Sequence, residues 1–252
     1  MSRSVLILAH ATDSGAGSVA ARLMDRLGPG RVRVVRPESL SLAKWSHRVD
    51  RQGRANTYLV VPNQEPFEDR QIGAVFNRIR YLPVTRFQGA SPKDREYAGA
   101  ELQAVVASWL AGFGHRAVHP LRRHPWVTPL LPRQHWASVA AACRLPVALR
   151  ILANSPRAHR WQSSRRQEGA GPPGGSVLVA GEQCAGVLAS SYGGRCVLAA
   201  QKLGLPLLEF QFTINREGLA VAGIHALPPL DEPWSADLAA QLLVSLCQGA
   251  GA

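Results

Sequence analysis

Lysine is nearly missing from this chain. Of 29 basic residues only Lys44, Lys93 and Lys202 are lysines, so the formal net charge of +12 over 252 residues is carried by arginine spread along most of the sequence. That distribution argues against a nucleic-acid-binding protein, whose cations cluster to displace counterions from phosphates. Two concentrations remain, Arg48, Arg51 and Arg54, then Arg157, Arg160, Arg165 and Arg166. Both read as solvated faces or as contacts for an acidic peptide or protein. No run approaches the roughly eighteen apolar residues of a membrane span. Val5 to Ala9 is too short for a signal-peptide core and runs into His10 and Asp13, so the cytoplasm is the expected compartment. The four cysteines, Cys143, Cys184, Cys196 and Cys247, lack metal or redox spacing and read as small buried hydrophobes. Neither a G-x-S-x-G elbow around Ser190-Ser191 nor H-E-x-x-H spacing among His115, His119, His124 and His135 is present, and no catalytic residue is assigned.

What is present is a 46% hydrophobic chain with α/β alternation. Ser4 to Ala9 reads as a buried parallel strand. A loop with Asp13, Ser14, Gly15 and Gly17 follows, then a helix with Val19, Leu23 and Leu27 on one face and Gly28 as its stop. The helix start is a candidate anion site, but Asp13 or Ser14 capping a tight turn is the favoured reading. Arg31 to Arg36 and Thr57 to Val61 read as further strands separated by a basic polar loop, giving a βαβ unit and a mostly parallel sheet. The apolar run Ala74 to Ile79 follows. Ser91, Pro92 and Asp94 then start a helix with Ala98, Leu102, Val105, Val106 and Trp109 along one stripe, ended by Gly112.

Val75-Phe76-Asn77-Arg78-Ile79-Arg80, the helix from Ser91, a helix through Trp136, Val139, Ala140 and Cys143, and the Leu145-Pro146 turn into a strand Val147 to Leu152 stand in a telling order. So do the hairpin Ser176 to Val187 turning at Gly181-Glu182, the helix to Leu203-Gly204-Leu205, and the strand carrying Glu209. That order resembles the ATP-grasp ligases, closest to the graspetide (microviridin-type) and ribosomal-protein-modifying branch. The resemblance implies an α/β fold: an N-terminal parallel-sheet pre-ATP-grasp domain over 1–115, then a shortened C-terminal α+β ATP-grasp-like domain over 116–252 with a Gly/Pro loop near 168–175. It also implies that a glutamate of the Ser91 helix, Glu96 or Glu101, serves as a structural ion-pair partner for the first domain's arginines.

The most specific family motifs are changed. His119-Pro120 stands for Asn-Pro, and Arg133 to Trp136 for the start of a Lys-x-x-Gln pattern. The lysines that would hold phosphates are absent, arginine is no conservative replacement, and a Gly/Pro segment stands where a nucleotide clamp belongs. Where the family ends a strand in Glu-x-Asn-Pro to hold magnesium, this chain has Gly223-Ile224-His225-Ala226. His225 is a poor magnesium ligand, because magnesium prefers hard oxygen donors, and Glu209 with His225 as a transition-metal pair is weak for want of an evident third ligand. The expectation is a degenerate, non-catalytic ATP-grasp-like protein without a cofactor. It would bind a peptide or protein partner, such as a biosynthetic enzyme, in a modified-peptide or natural-product pathway; a homodimer is left open. Ligand contacts fall to Asp13, Arg78, Arg80, Arg157, Arg160 and Arg165. The alternatives are an active ATP- and magnesium-dependent carboxylate–amine ligase, with arginine on phosphate and Glu209 on magnesium, and a basic nucleic-acid-binding protein.

Overall fold

A computed structural model describes residues 3–79, 81–118, 132–147, 172–216 and 218–249. By contacts the chain forms two units, Met1–Leu130 with Pro229–Ala252, and Leu131–Pro228.

In the first unit, strands β1 (Ser4–Leu8), β2 (Val32–Val35), β6 (Ile72–Asn77) and β7 (Ala117–Val118) form a parallel sheet in the order β2-β1-β6-β7. All five residues of β1 are buried, as expected where helices or loops cover both faces of a strand. Helix α1 (Ser14–Leu27) packs against the last helix, Pro233–Gly249, which also contacts β1 and β6. This is a departure from the division at residue 115: the terminal helix joins the first unit. It does so because Leu238, Leu242, Leu243 and Cys247 bury an apolar stripe there. On the alternate side, Leu6, Leu8 and Val75 share a core with Val106, Trp109 and Leu110 of α3 (Pro92–Ala111) and with Leu59 and Phe67.

Leu59 and Phe67 belong to a second, antiparallel sheet of β3 (Lys44–Val49), β4 (Ala55–Val60) and β5 (Phe67–Glu68), and so the expectation that Thr57 to Val61 continues the parallel sheet is corrected. The expected loop around Lys44 to Val49 is itself a strand. Asp50 makes the hairpin: its carboxylate accepts from the Gln52 and Arg54 amides and from Arg54 Nε, and Gly53 takes the left-handed turn position with φ of 76°. The Arg54 amide, then its guanidinium, hold the Asp50 carboxyl below its ordinary range. A short helix, α2 (Pro37–Leu42), links the two sheets.

The second unit is an antiparallel sheet with strands β8 (Pro173–Ala180), β9 (Gln183–Ala185), β10 (Leu207–Asn215) and β11 (Gly218–His225), in the order β11-β10-β8-β9. Helices α4 (Arg133–Ala142) and α5 (Ala189–Leu203) supply Trp136, Ala140, Cys196 and Ala199 to the core formed with Val177, Val179, Leu208, Phe210 and Phe212. The hairpin turns at Gly181-Glu182 as its sequence implies. Gly204 ends α5 in the left-handed conformation, φ 67°, where its amide meets the last carbonyls of the helix. After the Leu145-Pro146 turn, Val147 bridges Val221 in parallel fashion; the rest of the strand expected to Leu152 lies outside the described residues.

Cys143, Cys184, Cys196 and Cys247 are free thiols. The first three are close enough to interact, which their spacing did not reveal, and burial, then Cys184 and Cys143, push the Cys196 thiol up to about 12. Among the described residues no three His, Cys, Asp or Glu side chains group as metal ligands. No described helix is long and apolar enough to cross a membrane.

Candidate functional site

The carboxyl ends of parallel strands are where open α/β sheets place their ligands, because the loops diverge there. Here that edge holds Asp13 and Arg78. Arg78 follows β6 directly, and its amide donates to Leu8 O of β1 at 2.8 Å, which pins the residue between the two central strands. Its guanidinium Nε donates to Asp13 Oδ2 at 2.7 Å and lies over the Phe76 ring, 5.4 Å from its centroid. The side chains are 3% and 14% exposed. Asp13 Oδ1 accepts from the Ala16 amide at 2.9 Å and caps α1. Removing either partner would take from the other its opposite charge in a poorly hydrated place.

The start of α1 is closed to an outside anion. Ser14 Oγ donates to the Asp231 carboxylate, so two carboxylates of the chain itself occupy the positive end of the helix. A Cβ added at Gly15 would lie 1.7 Å from the Pro229 carbonyl oxygen, which shows how closely the returning chain packs there. The capping reading of this loop therefore holds over the anion-site reading.

Beside the ion pair stands a more open group that the sequence reading missed. The His10 ring stacks on Tyr81 with centroids 4.4 Å apart, and His10 Nδ1 is 3.9 Å from Glu38 Oε1. Tyr81 is 61% exposed, and the loop that carries it is tied down by a 2.7 Å contact between Ser41 Oγ and Thr85 Oγ1. The position of His10, immediately past the first parallel strand, is the signal that could have flagged it. This edge can bind by stacking and hydrogen bonding.

Arg80, Arg157, Arg160 and Arg165, together with His119-Pro120, lie outside the described residues. Glu96 and Glu101 are exposed on α3 and take part in none of the ion pairs among the described residues, while Arg80 of the first unit lies outside them. Arg78 pairs with Asp13.

In the second unit, β10 and β11 pair with Glu209 opposite His225 and Gln211 opposite Gly223, before the register shifts between Gln211 and Phe212. These four positions share one face of the sheet. Gln211 Nε2 donates to Glu209 Oε2 at 3.3 Å, and His225 is exposed.

Neither a protein-family model nor a curated protein matches the chain by sequence. Solved structures match it in fold. The macrocyclase MdnC from Microcystis aeruginosa MRC, bound with the precursor peptide MdnA, superposes with a TM-score of 0.73 at 14% identity, over 96% of this chain and 99% of that one. This chain has the fold of an ATP-grasp ligase. A RiPP-associated ATP-grasp ligase from Chryseobacterium gregarium, in complex with ADP and a leader and core peptide, gives a TM-score of 0.73 at 12% identity over 96% and 97% of the two chains. The ATP-grasp ligase PsnB, complexed with minimal precursor, Mg and ADP, gives 0.68 at 14% identity over 97% and 98%.

Whether ATP-grasp chemistry fits these residues is a question of donors. Magnesium takes hard oxygen ligands in octahedral geometry. Among the described residues, the face of β10 and β11 offers one carboxylate, the Gln211 amide that donates to it, an imidazole, and a glycine without a side chain. The Glu and Asn oxygen donors that the family resemblance expects at positions 223 and 225 are missing from that set. Sterics do not impose the glycine: a Cβ added at Gly223 meets only the His225 ring, at 3.5 Å and beyond.

Proposed function

We propose that this protein is a non-catalytic, ATP-grasp-like member of a ribosomally made, modified-peptide system that binds a peptide partner without ligating it. The observation that carries the proposal is the shared face of β10 and β11, where the positions that the family resemblance reserves for magnesium are Gly223 and His225. The likeness to MdnC, PsnB and the Chryseobacterium gregarium ligase, each solved with a precursor or leader and core peptide, supports a peptide as the partner. The carboxyl edge of the parallel sheet supplies an exposed stacking surface, Tyr81 on His10, beside the Glu38 carboxylate. Such a surface grips an aromatic or cationic side chain and requires no nucleotide. A ligase would join a carboxylate to an amine or hydroxyl and consume one ATP per bond. The test is incubation with ATP, magnesium and precursor peptides encoded nearby, followed by mass spectrometry and nucleotide analysis. The expected result is peptide binding with neither loss of water from the peptide nor release of ADP. Peptide dehydration coupled to ADP release would establish the ligase reading instead.

A further inference from the structure

Strand β3 is an edge. It pairs with β4 alone, and among the described residues no strand lies along its other side. The Asp50 amide donates to Arg54 O at 3.0 Å, which sets the phase of the antiparallel ladder below the turn. Arg48, Ser46 and Lys44 aim their amides and carbonyls at β4, while those of Val49, His47 and Trp45 point to the open side. The strand is held firmly from its inner face. His47 Nδ1 and Thr57 Oγ1 are hydrogen-bonded at 2.8 Å, and His47 Nε2 and Ser108 Oγ at 2.9 Å, which ties β3 to β4 and α3. Trp45 Nε1 donates to Leu40 O at 3.2 Å, and its ring meets Trp109 edge-on, 5.2 Å between centroids. An incoming strand thus meets an edge already in its bound shape. On the outer face stand Lys44, Ser46 and Arg48 beside Val60, Tyr58 and Asn56 of β4, with Arg51 following at the turn. Lys44, Arg48 and Arg51 enter none of the ion pairs among the described residues. The carboxylates of this sheet are taken: Asp50 pairs with Arg54, and Glu68, opposite Tyr58, pairs with Arg70.

We propose that the open edge of β3 takes up an extended acidic segment of a partner polypeptide as a fourth strand, its carboxylates at alternate positions facing Lys44 and Arg48. Backbone hydrogen bonds to Trp45, His47 and Val49 supply affinity, and the outer-face charges supply selection. Lys44, Ser46 and Arg48 occupy the non-hydrogen-bonded positions toward an antiparallel newcomer, where side chains approach most closely, so opposite charges attract and like charges repel there. A second copy of this chain is a poor occupant, because pairing β3 with itself would set Lys44 and Arg48 of both copies on one face. Charges of this kind guard an edge against its own like, and the same charges admit an anionic strand. A nucleic acid would meet the charges but has no amide ladder to offer the edge. This surface shares no residue with the stacking group of His10, Tyr81 and Glu38, and it does not depend on the non-catalytic reading.

The experiment is fluorescence anisotropy of a labelled peptide alternating glutamate and valine, titrated with the full chain at about 0.15 M ionic strength. Saturable binding is expected. The same peptide N-methylated at its valines keeps every charge but loses the amides that face β3 in this register, and it is expected to bind at least about tenfold more weakly. Lys44→Gln with Arg48→Gln is expected to weaken binding severalfold, whereas Lys202→Gln, in the second unit, leaves it unchanged. Val49 is 53% exposed, and an edge strand tolerates proline where its N–H faces outward. Val49→Pro is therefore expected to keep the wild-type unfolding midpoint and weaken binding severalfold without changing any charge; should it unfold, the methylated peptide and the Lys44 and Arg48 variant still decide. Absence of saturable binding, equal affinity for the methylated peptide, or full affinity in the Lys44 and Arg48 variant would each overturn the proposal. So would oligothymidylate binding more tightly than the peptide through Lys44 and Arg48, or a dimer in sedimentation that Val49→Pro dissolves.

Discussion

At the carboxyl edge of the parallel sheet a carboxylate and a guanidinium, Asp13 and Arg78, are buried against one another. On the antiparallel sheet of the second unit, Glu209 and His225 face each other across paired strands without forming an ion pair among the described residues. The difference is one of tolerance to change. A buried pair resists single substitutions, because the charge left behind keeps its desolvation cost and loses its partner. The face shared by Glu209, Gln211, Gly223 and His225 carries no such constraint, and its polar residues can change while Phe210 and Phe212 keep the sheet packed from the other side. The first unit thus retains its polar centre, and the second retains mainly its apolar one.

Breaking the first side of that contrast gives the largest expected effect. Arg78→Met should destabilise the protein by about 3–5 kcal/mol, measured by urea unfolding, and Asp13→Ala by a similar amount to which a lost helix cap adds roughly 1 kcal/mol. If both variants unfold at the wild-type urea midpoint, the pair is not the structural centre described here. The counterpart in the second unit is apolar: Phe210→Ala should cost about 3–5 kcal/mol, while Glu209→Gln and His225→Gln should each cost under about 1 kcal/mol. A large loss from either polar substitution would erase the contrast.

Much of this was legible in the residues. Asp13, Ser91, Gly28 and Gly204 announce helix ends by local chemistry alone, and the structure uses each as such. The hairpin at Gly181-Glu182 follows from a turn between two apolar runs. What was missed depends on distant partners. Strand β3 carries Lys44, Ser46, Arg48 and Val49 on exposed positions, so its pattern is that of a loop until β4 lies beside it. The terminal helix shows an apolar stripe, but nothing in that stripe says which unit it will cover. The pairing of Arg78 with Asp13 joins residues 65 positions apart. Stacking of His10 on Tyr81 joins residues 71 positions apart in sequence, beyond the reach of any spacing rule.

Smaller effects sharpen the comparison by pH and salt. Cys196, pushed up to about 12 in the second unit's core, stays protonated in the folded state while the unfolded thiol ionises near 9.0. Its contribution is fully present below about pH 9 and is lost as pH rises toward 12, since the unfolded state then binds fewer protons. Cys196→Ala should flatten that part of the stability–pH curve relative to wild type, and an unchanged slope would contradict the buried thiol. In the first unit, Asp237 meets Arg26 at 2.7 Å with both side chains more than a third exposed, and that hydrogen bond, then the Arg26 charge, hold the Asp237 carboxyl below its ordinary range. Stability from this pair is present above the unfolded carboxyl range and lost as pH falls through the folded one. Because water screens it, Asp237→Asn should cost only about 0.5 kcal/mol and less in high salt; a salt-independent loss of several times that size would mark the pair as buried in function.

The central proposal, that the β10–β11 face of the second unit holds no ATP-bound magnesium, is tested most directly by thermal unfolding with saturating ATP, with and without magnesium, in the wild type and in Gly223→Glu/His225→Asn. The account predicts that magnesium adds nothing to the wild-type midpoint, whatever ATP alone does through its phosphates. A magnesium-dependent gain in the wild type, approaching the roughly 2.7 kcal/mol that a ligand at a hundred times its Kd confers, would contradict it.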